Sequence, residues 1–264
     1  MVKDNQSHII EQIKQHIKQV LRASTHERVI IAVSGGIDSA TALYLLKEAV
    51  PIENISVLHL HYFKRTIDQF EKVIQPLNLP EANILLYPIN DAVDTIAQEL
   101  QILGDGSFAS AQDDRLNKMR LGNIMARVRM MYLFDQAKKR NALVCGTENR
   151  TENYLGYFTR FGDAASDFEV LNHLYKTEVR ALAKDLHVPQ SIIDTPPSAG
   201  LWDGQTDEKE LGVTYEEIDQ VLRLHFDEKR SIEAIEEMGY KNARKILFIV
   251  QKYAYKREVP YIMK

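Results

Sequence analysis

The sequence holds a single cysteine, Cys145, in 264 residues. One cysteine closes no internal disulfide and builds no cysteine-based zinc site. Long apolar runs are also missing: no stretch approaches the ~20 residues that cross a bilayer as a helix, so no membrane role is expected. No apolar segment follows Met1-Val2-Lys3-Asp4, so nothing reads as a secretory signal and a cytoplasmic location is expected. Charge of one sign is lacking, with a formal net charge of −4. That argues against a whole-surface nucleic-acid binder, which is usually strongly basic. There is no internal repeat and no linker rich in Gly, Pro or Ser. What remains is ordinary globular composition, 45% hydrophobic and 27% charged, in a length that suits one large domain or two small ones.

Apolar spacing predicts the order of elements. Ile9, Ile13, Ile17 and Val20/Leu21 share one helical face. Arg28 to Val33 is a β-branched run, apolar on both faces as a buried parallel strand is. A helix follows through Ala40, Leu43, Leu46 and Ala49, then a strand at Ile55–Leu60 and a helix near Ile67–Leu77. A third strand fits Asn83–Ile89, helices fit Asp91–Leu103 and Asp114–Arg140, and a fourth strand fits Ala142–Gly146. Strands alternating with helices predict a parallel sheet covered on both faces. From Lys176 onward the pattern is mainly helical: Lys176–Leu186, Tyr215–Phe226, Ser231–Met238 and Lys241–Tyr255. These helices are expected to pack on the sheet as part of one domain spanning 1–264. Asp203 to Asp219 carries seven acids and one base. It reads either as solvated helix faces or, with Gly204 and Gly212, as a lid that closes on a nucleotide.

The first chemical signal is Ser34-Gly35-Gly36-Ile37-Asp38-Ser39, between the first strand and its helix. Glycines let the backbone approach a ligand, and the amides of a helix start favour an anion. Asp38 would repel a phosphate and makes sense if it holds a magnesium ion that bridges to one. The plainer alternative is a strand-to-helix turn with Asp38 as a helix-start residue. Neither Gly-x-x-x-x-Gly-Lys-Ser/Thr nor Gly-x-Gly-x-x-Gly occurs, which disfavours P-loop nucleotidases and Rossmann dehydrogenases.

This loop resembles the pyrophosphate loop of the ATP pyrophosphatases. Further motifs follow in order: Asn123 to Met130, Gly146 to Glu152, Gly156 to Asp163, Asp167, Leu174-Tyr175-Lys176, Pro197 to Trp202, Gly204 to Glu208 and Leu211 to Tyr215. Together they closely resemble ammonia-dependent NAD synthetase over roughly residues 28 to 260. The resemblance implies a Rossmann-like three-layer α/β/α fold with a mainly parallel sheet and extra C-terminal helices. It implies a ligase that adenylates the carboxylate of deamido-NAD with ATP and then admits ammonia, giving NAD, AMP and pyrophosphate. It implies a homodimer.

Site residues follow from the same resemblance. Asp38, Asp163 and Lys176 are the expected catalytic groups. ATP is expected at Ala32, Val33, Ser34, Gly35, Gly36, Ile37, Asp38, Ser39, Thr147, Lys176 and Ser198. Deamido-NAD is expected at Arg127, Arg160, Asp167, Tyr255 and Lys256, with Arg129 as a surface partner for a carboxylate. Asp38 and Glu152 form a sensible magnesium pair, since magnesium takes oxygen ligands and keeps several waters. On its own, Glu152 also reads as an acid at a helix N-terminus and Lys176 as a surface lysine. Asp163 is expected near the ammonia site, as a proton acceptor.

The sequence also departs from the family. Arg160 stands where Lys is usual, Ala164-Ala165 replaces Gly-Gly, and Tyr255-Lys256 aligns with His-Lys. The usual proline-containing adenine loop is missing around His59 to Arg65, where His59 and His61 share one strand face and read as packed or exposed. The rival readings are another ATP pyrophosphatase, tRNA-modifying or GMP-forming, and a nucleotide-binding protein without turnover. The run Arg115–Arg140, with eight bases and one acid, is the support for an RNA substrate.

Overall fold

A computed structural model describes residues 2–102, 111–198 and 206–258. Five strands form one sheet: β1 (Arg28–Ala32), β2 (Ile55–His61), β3 (Ile84–Pro88), β4 (Ala142–Gly146) and β5 (Phe168–Glu169). Their order is β3-β2-β1-β4-β5, and every pairing is parallel. The helices are α1 (Val2–Ser24), α2 (Ile37–Ala49), α3 (Ile67–Ile74), α4 (Asn90–Glu99), α5 (Ala111–Arg140) and α6 (Arg150–Leu155). After them come α7 (Lys176–Asp185), α8 (Gln190–Ile193), α9 (Asp207–Leu211), α10 (Tyr215–Leu222), α11 (Ile232–Glu237) and α12 (Ala243–Lys252).

Side chains alternate across each strand, so the apolar strands feed two cores. Val29, Ile31, Val57 and Cys145 face α1, α2, α3 and α7. Ile30, Leu58, Leu60 and Val144 face α4 and α5. The result is the expected Rossmann-like three-layer arrangement, with the sheet wholly parallel. The fifth strand, two residues long, escaped the sequence pattern; it exists because Phe168 and Glu169 pair with Cys145 and Gly146. Burial also pushes the Cys145 thiol well above its usual range, so it is inert, as a core-strand position implies.

Of the C-terminal helices, α7 packs on the sheet as expected, while α10, α11 and α12 correct the sequence reading. They pack on α6 and α7, away from the sheet faces, and build a third apolar cluster from Leu155, Tyr175, Ile218, Val221, Ile235, Ile246 and Val250. Helix α10 ends at Leu222, and one π-turn, Arg223–Asp227, carries the chain on. The acids of the 203–219 stretch are not all solvated either. Asp207 and Asp219 are buried, and Thr206–Asp219 folds around them as α9 and α10. Asp203 and Gly204, the rest of the expected lid, lie outside the described residues, as does the 199–202 part of the motif.

Strand order reverses between β1 and β4, and a doubly wound sheet offers its ligand crevice beyond the carboxyl ends of such a pair. The Ser34–Ser39 loop leaves β1 there, and Thr147-Glu148-Asn149 leaves β4 beside it. Topology alone therefore brings the two strongest sequence motifs together.

Candidate active site

The β1 loop is braced by its own hydroxyls. Ser34 Oγ accepts from the Gly36 amide at 3.2 Å, and Ser39 Oγ accepts from the Ser34 amide at 3.2 Å while donating to the Gly36 carbonyl at 3.1 Å. Gly35 sits at φ +92°, and a Cβ there would lie 2.7 Å from the Gln69 Cβ, so only glycine fits. No side chain caps α2, which leaves its first-turn amides for an anion. Ala32 ends β1, and Val33 is fixed by its amide to the Leu58 carbonyl (2.8 Å) and its carbonyl to His59 Nδ1 (2.7 Å).

Asp38 projects from the first turn of α2 toward the β4 loop. Lys176 Nζ, from the first residue of α7, donates to Asp38 Oδ2 at 2.5 Å and to Glu152 Oε1 at 3.0 Å. The lysine is only 1% exposed. Burial opposes its charge, but Asp38 and Glu152 outweigh that and hold its pKa above the usual lysine range. Burial acts on Glu152 in the opposite sense and raises it, with the ammonium pulling against the shift. A partly buried carboxylate pair around one buried ammonium is costly unless its geometry is good and its remaining atoms are hydrogen-bonded.

Those remaining atoms are satisfied by a residue the sequence reading passed over. Asn149, fully buried, donates from Nδ2 to Asp38 Oδ1 at 2.9 Å and accepts the Glu152 amide on Oδ1 at 3.0 Å. Glu152 reaches back to the Asn149 amide, which completes a capping box at the start of α6. The pattern Asn149-x-x-Glu152 before a helix was the available signal. Lys176 is set in turn by Thr151, whose Oγ1 accepts the Lys176 amide (2.9 Å) and donates to Asp219 Oδ1 (2.6 Å). Asp219 Oδ2 accepts from the Thr177 amide. Tyr215 lies under the ammonium at 5.2 Å and donates to buried Asp207 at 2.9 Å.

A second acidic group backs the β4 loop. Glu169 Oε2 accepts from the Glu148 amide (3.1 Å) and Oε1 accepts from Ser166 (2.8 Å). Its carboxylate presses so close that a Cβ on Gly146 would meet Oε1 at 1.8 Å. Burial raises Glu169 to about 7 and, with help from Glu169, raises Glu148 to about 8.

The other expected residues divide. Thr147 is half-buried at the end of β4, while Ser198 is exposed, next to Pro197, whose carbonyl accepts the Asp207 amide. Arg160 stacks over Tyr255 at 5.1 Å, so two departures from the family contact one another. Lys256 Nζ is committed to the carbonyls of Gly156 (2.6 Å) and Phe158 (2.5 Å), clamping the loop that leads to Arg160. Asp163 accepts the Thr159 amide (2.9 Å); its carboxylate touches solvent, yet the protein crowded around it raises its pKa. Asp167 Oδ2 accepts the Val144 amide (2.7 Å) at the sheet edge, and Arg127 is exposed on α5. Arg129 is no surface partner: it is half-buried and donates to the Leu60 carbonyl at the end of β2 (3.0 Å). Ala164 and Ala165 avoid the left-handed region, which Phe161 enters instead at φ 57°. Alanine there strains nothing.

His59 is packed, bonded to Val33 and Thr66 and stacked on Phe70 and His61. Among the described residues no three His, Cys, Asp or Glu side chains converge on a metal position. Asp38 and Glu152 do share a single cation, the Lys176 ammonium. Two carboxylates within reach of one cation suit magnesium, which completes its shell with water and substrate phosphate.

A doubly wound sheet with a braced glycine loop and paired carboxylates at its switch point places the chain among the α/β enzymes that bind nucleotide phosphates. Within that class it belongs to the NAD synthase family, whose model matches residues 9–260. It is 40% identical over 256 residues to an NH(3)-dependent NAD(+) synthetase of Thermococcus kodakarensis, covering 95% of this chain and 94% of the relative. Among solved structures it is similar to the NMN synthetase from Francisella tularensis, with a TM-score of 0.80, 32% identity and 98% of both chains covered. It is also similar to the NH3-dependent NAD synthetase from Campylobacter jejuni in complex with the nitrate ion: TM-score 0.70, 27% identity, 98% and 99% covered.

Proposed function

We propose that the chain makes NAD from deamido-NAD, ATP and ammonia, working as one domain over residues 1–264. The nicotinate carboxylate attacks the α-phosphorus of ATP and pyrophosphate leaves. Ammonia then attacks the acyl carbon, loses a proton, and AMP leaves. The observation that carries this reading is the cross-bonded cluster of Asp38 and Glu152, partly buried, with buried Asn149 and Lys176, beside the uncapped start of α2.

Asp38 and Glu152 are the residues that would hold magnesium, which supplies charge neutralisation on the phosphates when bound. Ala32 to Ser39, Thr147 and Ser198 line the ATP, and Lys176 supplies a point charge to its phosphates. Arg127, Arg160, Asp167, Tyr255 and Lys256 serve the dinucleotide, Lys256 by fixing the loop that presents Arg160. Asp163 favours ammonium and accepts its proton; its raised pKa suits that task. The enzyme is proposed to act in the cytoplasm as a homodimer.

A second acceptor has specific support. The 0.80 TM-score belongs to an enzyme named for NMN, against 0.70 for one named for NAD. Nicotinate mononucleotide carries the same reacting carboxylate. One experiment separates the readings: ATP, magnesium and ammonium with either acceptor, products resolved by chromatography. NAD and AMP in equal amounts, with higher kcat/KM for the dinucleotide, supports the first. Preference for the mononucleotide supports the second, and ATP binding without AMP release in either case overturns both.

A further inference from the structure

The Lys176 ammonium lies between the two carboxylates that the proposed function gives to magnesium. It contacts one oxygen of each, at 2.5 and 3.0 Å, and little of its side chain reaches solvent. The other Asp38 oxygen is taken by Asn149, and the second Glu152 oxygen faces the Asn149 amide at 3.5 Å. The two oxygens aimed at the lysine are therefore the ones left for an incoming cation. Magnesium needs them at about 2.0–2.1 Å, and an ammonium already bonded to both leaves no room for a second positive centre.

We propose that Lys176 is an exchangeable internal counter-ion, which closes the Asp38–Glu152 pair to free divalent metal until a triphosphate draws the ammonium away. This rests on the reading of those two carboxylates as the magnesium ligands. The geometry supplies what the exchange requires. The Lys176 backbone is fixed, its amide bonded to Thr151 Oγ1 and the next amide to Asp219. A lysine stem is a flexible four-carbon chain, so its ammonium can be redirected while this backbone stays in place. Asp38 belongs to the first turn of α2, so a phosphate on that helix start comes within the sweep of the same ammonium. Asp207 and Tyr215 flank the lysine and offer the ammonium a carboxylate and a ring face as it moves. The consequence is an order of binding: metal enters with nucleotide, and the nucleotide-free enzyme does not collect metal in this pocket.

Binding of Mn2+, followed by its electron paramagnetic resonance signal, tests this without turnover. Whole wild-type protein is titrated with Mn2+ alone and with the α,β-methylene analogue of ATP, alongside Lys176→Met and Lys176→Gln. Both variants are expected to bind Mn2+ without nucleotide roughly tenfold or more tighter than wild type, and Mn2+ is expected to raise their melting temperatures but not that of wild type. Nucleotide-free wild type that binds Mn2+ as tightly as either variant overturns the exchange, and tight binding by wild type alone overturns it even if neither variant folds. Adding Asp38→Asn to Lys176→Met is expected to abolish the nucleotide-free binding. Retained binding there removes the metal from Asp38, so the reading of the two carboxylates as magnesium ligands fails and the exchange with it.

Discussion

The two halves of the candidate site are built differently. On the side proposed for ATP, Asp38, Asn149, Glu152 and Lys176 come from α2, the β4 loop, α6 and α7 and are cross-bonded in one largely buried group. On the side proposed for the dinucleotide, Tyr255 is 42% and Phe161 59% exposed, and Arg160 is held by stacking on their rings. The cross-bonded group holds none of the departures from the family motif, while Arg160 and Tyr255 fall in the open half. A cross-bonded cluster strands several charges when one member changes. A stacked, solvated pair loses only a contact worth about 0.5–1 kcal/mol.

The sharpest test of that contrast is Asp38→Asn. It keeps the shape and a hydrogen-bonding oxygen but removes the charge that faces Lys176. NAD formation is expected to fall roughly 10²–10³-fold in kcat, in line with losing a preorganised electrostatic group, while the fold survives because Glu152 still pairs the lysine. A rate within threefold of wild type would place the chemistry elsewhere.

Next in size is Asn149→Ala. It breaks the capping box and leaves Asp38 Oδ1 without its donor. The expected cost is about 1–3 kcal/mol in urea unfolding, with kcat falling more than the KM for the dinucleotide rises. Equal changes in both constants would make Asn149 no more than a cap.

The acidic backing of the β4 loop gives a pH test. Glu169 is raised to about 7 and Glu148 to about 8 from an ordinary 4.5. The folded protein therefore binds more protons than the unfolded chain between about pH 4.5 and 8. Their contribution to stability is fully present below pH 4.5 and is lost as pH rises through 7 to 8. Glu169→Gln mimics the protonated form. It is expected to match wild type near pH 5 and to be more stable by on the order of 2 kcal/mol near pH 8.5, read from urea midpoints. A constant difference across that range would remove the shift.

How much of this was legible before the fold was known follows the same division. The four long strands and the glycine loop follow from local pattern, and the resemblance pointed to Asp38, Glu152 and Lys176, which the fold brings together. Strand β5 is two residues held only by its neighbour, so no period could reveal it. Asp207 and Asp219 look like solvated acids in a charged run. Their burial depends on Tyr215, Thr151 and the Thr177 amide, partners that meet them only in three dimensions. Asn149 was readable as a cap, and Gly146 as a close approach, but not what approached it. The C-terminal helices show apolar faces without saying which surface they cover, and α6 with α7 was that surface.

The smallest expected effect bears on the open half. By the resemblance, Arg160 replaces a Lys and Tyr255 a His, and the structure stacks one on the other. If each change compensates the other, Tyr255→His alone loosens Arg160, while Tyr255→His with Arg160→Lys restores the family pairing. The single variant is expected to raise the dinucleotide KM about two- to fivefold, with kcat unchanged and the KM for ATP unmoved, as loss of one partly solvated cation–π contact predicts. The double variant is expected to recover at least half of that loss, a coupling that two independent surface residues would not show. Additive effects in this cycle would leave the two substitutions as separate accidents of an exposed surface. A fall in kcat from the single change would erase the contrast itself, because the open half would then be part of the chemistry.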